Sequence, residues 1–262
     1  MEKTDVINEV IKEDTETTTF NNEKKPEEQV QIKKKRVIIG LPGDSFSSKF
    51  LLAWSNALAN IWMSNKYDII IAPGTGSFVS FVRMQTLGLD VRRGPEQKPF
   101  NGDNYDVWVT IDSDVVFSVD NLMKLIDSTD KYPVISGIYR MADLEHFAIV
   151  KDWDNDYFKQ NGVFKFLKQD DLDEWKKDKN TNIMQIDYTG MGFFACRKEV
   201  LDKMKYPYFD GEVREILDGD NKIIMRDLSS EDVNFCKNIK LAGYDINVDV
   251  DLRVGHLKPI LI

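Results

Sequence analysis

Two aspartates one residue apart, Asp112 and Asp114, close the alternating apolar run Val107–Trp108–Val109–Thr110–Ile111. Carboxylates are depleted inside strands, so the pair marks a strand end. Two carboxylates this close repel unless something positive lies between them. A divalent cation is the usual answer, and hard Mg2+ or Mn2+ prefers oxygen ligands. The plainer reading is a polar passage from strand to turn, with Asp114 capping the next element. Glu231–Asp232, after Ser229–Ser230, opens an apolar-striped helix. A carboxylate on such a rigid element suits a general base. Equally, acids belong in a first helical turn, and Ser229-x-x-Asp232 imitates a capping box. Gly255–His256 comes after a late strand, and His256 is one of only 2 histidines. It reads as a metal ligand or as a satisfied structural residue. His146, the other, has no evident partner and reads as structural. Gly190–Met191–Gly192 permits close backbone approach or positive φ. It is not a phosphate-cradling loop, because no Gly-Lys-Ser/Thr comes after it.

These groups need elements to hold them. Val37–Ile38–Ile39 is a short buried strand, followed by a Gly/Pro loop over Gly40–Ser45. Phe46, Phe50, Leu51, Trp54, Leu58, Ile61 and Trp62 recur at spacings of three and four, which predicts an amphipathic helix over 46–65. "YDIIIA" is a second strand, and "SFVSFVRMQTLG" suits a helix ended by Gly88. Residues 105–112 form the next strand. "SVDNLMKLIDS" reads as a short helix capped by Ser118 or Asp120, and "YPVISGIYR" as a strand. Strand–helix alternation over 36–140 predicts a mostly parallel, doubly wound sheet. Ligands then sit beyond the carboxyl ends of the strands, where Asp112 and Asp114 fall. The second half is less regular. "HFAIVKDW" and "GVFKFLK" look like antiparallel strands, and "QDDLDEWKKDKNTN" is a charged excursion. "MQIDYTGMGFFACRKEVLDKM" reads as strand, glycine turn, strand and helix. "SSEDVNFCKNIKLAG" is a helix with a serine cap and a glycine stop, and "YDINVDVDLRVGHLK" a final strand.

Composition narrows the function. The 262 residues carry a formal net charge of −9. That argues against nucleic acid as a main partner, since phosphate binding needs clustered Lys and Arg. An anionic small ligand stays open, because a bound metal inverts the local field. The 2 cysteines, Cys196 and Cys236, match no zinc spacing and read as buried free thiols. The first residues lack the apolar core of a signal peptide, and no apolar run approaches the ~18–20 residues of a membrane span. A cytoplasmic protein is expected. Residues 1–35 are rich in Glu, Lys, Thr and Asn, with Phe20 the only aromatic, and predict a disordered polar tail.

Taken in order, the motifs resemble the GT-A fold glycosyltransferases, in particular the large inverting family that uses nucleotide-sugar donors. The resemblance spans roughly 36–258 and rests on "TIDSDVVFS", "TGMGFFACRKEVLDKM", "SSEDVNFCKNIKLAGYDI" and "VDLRVGHLK". It implies an α/β GT-A domain over 36–262, single, with a Rossmann-like, mostly parallel central sheet and a smaller antiparallel acceptor-side part. Its nucleotide-binding half would be 36–140 and its acceptor and catalytic half 141–262. By resemblance Asp114 would bind the metal directly and His256 would be a further ligand, while Asp112 would contact either the metal through water or the donor's ribose or sugar. Ser113 belongs to the same donor-side segment. The cation, Mn2+ or Mg2+, would stabilise the departing nucleoside diphosphate. Asp232 would be the base, with Glu231 beside it. Gly190, Met191 and Gly192 would line the acceptor side. Pro42, Gly43 and Asp44 lie where this fold holds the nucleotide. Arg83 stands where the family often has Arg-Asn, although here Met84 is the next residue. The Gln-x-x-Arg-Trp motif of processive members is absent after Asp232, so a non-processive enzyme is implied. Its partners would be a nucleotide-sugar donor and a glycan, lipid-linked or protein acceptor. Two other readings stand beside it. A GT-A-like nucleotidyltransferase would need a Gly-rich, Arg/Lys-bearing loop after the first strand, to which "GLPGDSFSSK", with its late Lys49, is a poor match. A non-catalytic sugar-nucleotide-binding module should have lost at least one of Asp112, Asp114, Asp232 and His256.

Overall fold

A computed structural model describes residues 33–259 of the chain. The polar tail expected over 1–35 lies, except for its last three residues, outside the described residues. In the first half β1 (Lys35–Pro42), α1 (Ser48–Ser64), β2 (Tyr67–Gly74), α2 (Val79–Thr86), β3 (Val107–Ile111), β4 (Val115–Val116), α3 (Val119–Ser128) and β5 (Val134–Ile138) succeed one another. The second half runs β6 (His146–Val150), α4 (Asn155–Asn161), β7 (Phe166–Lys168), α5 (Gln169–Lys179), β8 (Ile183–Ile186), β9 (Tyr188–Thr189), β10 (Phe193–Arg197) and α6 (Lys198–Lys203). It closes with β11 (Glu212–Leu217), β12 (Ile223–Ser229), α7 (Glu231–Leu241), β13 (Ile246–Arg253) and β14 (Gly255–His256).

The fold is mixed α/β around a 7-stranded sheet of order β2-β1-β3-β10-β5-β13-β8. Pairs β1–β2, β1–β3 and β5–β13 are parallel, while β10 and β8 run antiparallel to their neighbours. The mostly parallel sheet is thus as expected. Strand periodicity sorts its side chains into two cores. Val37, Ile39, Val107, Val109 and Ile111 face α1 and α3, while Ile38 and Trp108 face α2, α6 and α7. Trp108 is fully buried beside Phe194, Phe209 and Phe235, and its indole N–H donates to the Thr86 carbonyl at 3.2 Å. Phe209 stacks on Phe235 of α7 with ring centroids 4.2 Å apart, which fixes that helix under the sheet. Both cysteines are buried and free, and burial pushes the Cys236 thiol up to about 12.

Several local features depart from the expectations. The polar stretch 169–179 is a helix although it buries only Leu172. Its ends explain this: Asp170 and Asp171 occupy the first turn, Lys176, Lys177 and Lys179 the last, and each suits the helix dipole. Helix α1 buries Phe50, Ala57 and Ile61, packs the half-buried Trp54 against the same core, and leaves Leu51 and Trp62 exposed. The hairpin β11–β12 carries no strong alternation and was not foreseen. Ser118 caps α3 in a full capping box with Asn121. Ser229 does not cap α7, because the cap is Ser230, and the Ser229 hydroxyl lies 2.9 Å from Asn234 Oδ1 and 3.0 Å from the Glu212 carbonyl. No helix among the described residues is long and apolar enough to cross a membrane.

Strand β13 bends at an irregularity. Asn247 and Val248 pair with Ile135 and Ser136, yet the next pair on β5 joins Ile138 to Arg253. The extra residues turn the strand over: Ile246, Val248 and Val250 face one core, whereas Leu252 and Val254 face the other. Such bulges re-aim a strand. Here the chain is delivered to β4, where Gly255 pairs with Val116 and His256 with Val115.

Candidate active site at the carboxyl edge of the sheet

Strand β3 ends at Ile111, and the next three residues, Asp112, Ser113 and Asp114, are half-buried at the sheet edge. The Asp112 amide donates to the Gly192 carbonyl at 3.0 Å, so β10 holds the strand end. Both carboxylate oxygens of Asp112 accept from Arg83, Nη1 to Oδ1 at 2.9 Å and Nη2 to Oδ2 at 3.1 Å. Arg83 Nε donates to Glu231 Oε1 at 3.1 Å. The guanidinium therefore braces α2, the β3 end and the start of α7. Burial works against its charge, but Asp112 and Glu231 more than offset that and keep it firmly protonated. Its three nitrogens all have partners within the chain, and its side chain is only 7% exposed. Arg83 thus positions Asp112 instead of offering itself to a nucleotide.

Asp114 belongs to a second cluster. Its Oδ2 lies 3.2 Å from His256 Nε2 and 2.7 Å from Lys258 Nζ. The Leu257 amide also donates to the Asp114 carbonyl at 2.7 Å. His256 and Lys258, two residues apart along an extended segment, point to the same side. Burial would raise the Asp114 carboxyl, yet the bonds and charges of His256 and Lys258 outweigh it and hold the group at about 2. His256 is pushed up, chiefly by its bond to Asp114. Its Nδ1 lies 2.8 Å from the Arg140 carbonyl, a partner that fixes Nε2 towards Asp114.

The two acids of the strand end are therefore neutralised by different basic residues of the chain. Among the described residues no group of three or more His, Cys, Asp and Glu gathers to hold a metal ion. The expected set of Asp112, Asp114 and His256 is not brought together as one, because Arg83 engages both oxygens of Asp112. Asp114 and His256 do converge. Two neighbouring ligands of one octahedral cation, each ~2.1 Å from it, lie ~3.0 Å apart, close to their 3.2 Å separation. The backbone partner on His256 Nδ1 is also what metal-bound histidines have. The pair is spaced as two ligands of a Mg2+- or Mn2+-type ion would be.

Asp232 has neutral partners only. Tyr188 donates its hydroxyl to Oδ2 at 2.8 Å, and Oδ1 accepts from the Val233 amide at 2.9 Å and from the Ser230 hydroxyl. Burial and the charge of Asp232 both hold the Tyr188 phenol well above its usual range, so it stays a donor. Glu231, by contrast, is buried and tied to Arg83.

Tyr139, at the end of β5, joins these clusters, and sequence reasoning missed it. Its hydroxyl accepts from the Gly192 amide at 3.1 Å, and its ring meets the His256 ring edge-on with centroids 4.8 Å apart. A Cβ on Gly190 would stand 2.2 Å from the Tyr139 hydroxyl, and one on Gly192 2.9 Å from the ring. The close approach expected of this glycine turn is therefore made to Tyr139. Met191 is 1% exposed within the core, so the turn does not offer it to an acceptor, contrary to expectation. The one usable signal was an aromatic at a strand's carboxyl end. Lys258 was likewise missed, although its spacing from His256 was in plain view.

On the other side of the β3 end lies the loop after β1. Pro42 is the buried last residue of β1, Gly43 has φ +139°, and Asp44 is exposed. A Cβ on Gly43 would meet the Ser113 side chain at 2.9 Å, so only glycine lets this loop lie against Ser113. Lys49 lies exposed at the start of α1. His146 Nδ1 pairs with Asp143 Oδ2 at 2.7 Å, in keeping with a structural role.

The fold and its edge define an α/β protein with a carboxylate-rich site at the strand ends. No family model and no curated protein sequence matches the chain. Solved structures with a similar trace include A197 from STIV, 17% identical, with a TM-score of 0.47 over 86% of each chain. Another is 4-diphosphocytidyl-2C-methyl-D-erythritol synthase from Anaerococcus prevotii, 14% identical, with a TM-score of 0.39 over 87% of this chain and 92% of that one. Glucosyl-3-phosphoglycerate synthase from Mycobacterium tuberculosis, in complex with Mn2+, uridine diphosphate and phosphoglyceric acid, is 10% identical, with a TM-score of 0.42 over 86% of this chain and 72% of that one. These likenesses are faint.

Proposed function

We propose that the chain is a GT-A glycosyltransferase, inverting and non-processive, which moves a sugar from a nucleoside-diphosphate sugar to an acceptor hydroxyl of a glycan, lipid-linked or protein substrate. The observation that carries this reading is the division of labour among acids at one sheet edge. Asp114 faces cationic and cation-ligating groups, whereas Asp232 has only neutral hydrogen-bond donors. A carboxylate without a bound cation keeps its lone pairs available, and Asp232 Oδ2 retains one beside the Tyr188 bond. Asp232 takes the acceptor hydroxyl's proton as that oxygen attacks the anomeric carbon from the face opposite the diphosphate. The bond from the anomeric carbon to the diphosphate oxygen breaks, and the anomeric centre inverts. Tyr188 holds Asp232 in orientation. Asp112, braced by Arg83, receives the ribose or sugar hydroxyls, with Ser113 and the Pro42–Asp44 loop against the nucleotide. Asp114 and His256 would hold Mn2+ or Mg2+, which supplies charge stabilisation for the departing diphosphate.

The test is a panel of nucleoside-diphosphate sugars assayed for transfer and slow hydrolysis with Mn2+ or Mg2+. Asp232→Asn should lose transfer by at least ~10²-fold, the usual worth of a general base, while still binding the donor. Normal turnover by that variant removes the base assignment. Pyrophosphate release from a nucleoside triphosphate would instead select the nucleotidyltransferase reading, and donor binding without turnover the binding-module reading.

A further inference from the structure

Lys258 is not among the residues expected at the site, yet it stands where a cation on Asp114 would stand. Its ammonium lies 2.7 Å from Asp114 Oδ2, the oxygen that also faces His256 Nε2. The placement is built into the backbone. The pairing of His256 with Val115, and the Leu257 amide on the Asp114 carbonyl, hold the Lys258 segment alongside Asp114. The contact is also open to solvent, with the Lys258 side chain 40% and the Asp114 side chain 37% exposed. An ion pair this exposed is weak and displaceable. A four-carbon stem lets an ammonium move several ångströms without any change in the backbone.

We propose that Lys258 occupies the cation position of the donor-free chain, yields it to a divalent metal, and then binds an oxygen of the donor diphosphate. This rests on the reading of Asp114 and His256 as the cation's holders. A metal and the ammonium compete for one carboxylate oxygen, and each repels the other if both stay. The free chain therefore binds metal weakly. An incoming diphosphate brings the negative charge that gives both cations a partner. Donor and metal then load together, each raising the other's affinity.

The experiment uses the whole chain and Mn2+ alone, with free Mn2+ monitored by electron paramagnetic resonance. Lys258→Met should bind Mn2+ about three- to tenfold more tightly than the parent, the range expected from losing a weak competing pair. Lys258→Arg should bind it as weakly as the parent. Asp114→Ala in the Lys258→Met background should abolish the gain. In saturating Mn2+, calorimetry with UDP, GDP, CDP and ADP should show the preferred diphosphate binding less tightly to Lys258→Met than to the parent. Equal Mn2+ affinity in parent and Lys258→Met overturns the proposal, as does the absence of Mn2+ binding from both. Unchanged diphosphate affinity overturns its second half. Lys258→Gln, checked by circular dichroism, guards against a folding defect particular to methionine. If Mn2+ affinity rises in the variants while no donor sugar is turned over, the lysine inference stands and the glycosyltransferase reading falls.

Discussion

Replacing Arg83 by Met tests the brace on which the site depends. The side chains of Arg83 and Glu231 are 7% and 10% exposed, and that of Asp112 is 27% exposed. Removing one partner of a buried ion pair costs about 3–5 kcal/mol, because the other charge is left buried without compensation. Asp112 keeps some access to water, so the lower end, about 3 kcal/mol, applies here. With a urea m-value of about 2.5 kcal/mol/M, the unfolding midpoint should fall by about 1.2 M. Glu231→Gln leaves Arg83 paired with Asp112 and should cost about 1–2 kcal/mol. The double variant should cost less than the sum by about 1–2 kcal/mol, since Met has no charge to strand and Gln leaves none. Urea unfolding of the four proteins, monitored by tryptophan fluorescence, gives the cycle. A loss below about 0.5 kcal/mol for Arg83→Met, or additivity within that margin, would refute the brace. Lost donor binding with stability intact would show that the guanidinium meets the ligand itself.

The same geometry predicts two more outcomes. Gly190→Ala should destabilise by about 1–3 kcal/mol, the usual cost of overpacking, because its Cβ would stand 2.2 Å from the Tyr139 hydroxyl. Adding Tyr139→Phe removes the clashing oxygen and should recover part of that loss in thermal unfolding, so strict additivity would refute the contact. In metal-free protein the Asp114 carboxyl carbon should titrate near 2 instead of its ordinary 3.8. The depressed value means that the ionised form favours the folded state. Its stabilising effect is complete above the ordinary value and fades as pH falls from 3.8 towards 2. Lys258→Met should move that NMR midpoint upward, and an unmoved midpoint would deny the lysine its role.

Much of the scaffold was legible because it arises from periodicity. The alternation in Val107–Ile111 and the capping pattern at Ser118 are local signals, and the structure contains both elements. Helix α5 was not legible from apolar periodicity, since it fully buries only Leu172 and carries its helix signals as charges at its ends. The hairpin β11–β12 was missed for a related reason: it has exposed apolar residues on both strands and no clean alternation.

The sequence by itself determined that acids stand at a strand end, that a Glu-Asp pair opens a helix, and that a histidine closes the last strand. Which charge answers which was decided by tertiary structure alone. Arg83 reaches Asp112 from 29 residues away and Glu231 from 148, while Lys258 reaches Asp114 from 144. No spacing rule connects such positions. The irregularity in β13 turns the final strand over and delivers His256 and Lys258 to Asp114. Two adjacent carboxylates demand positive charge wherever they occur. The fold chose its source, because electrostatic pairing acts through space and the sheet's register sets which residues share that space.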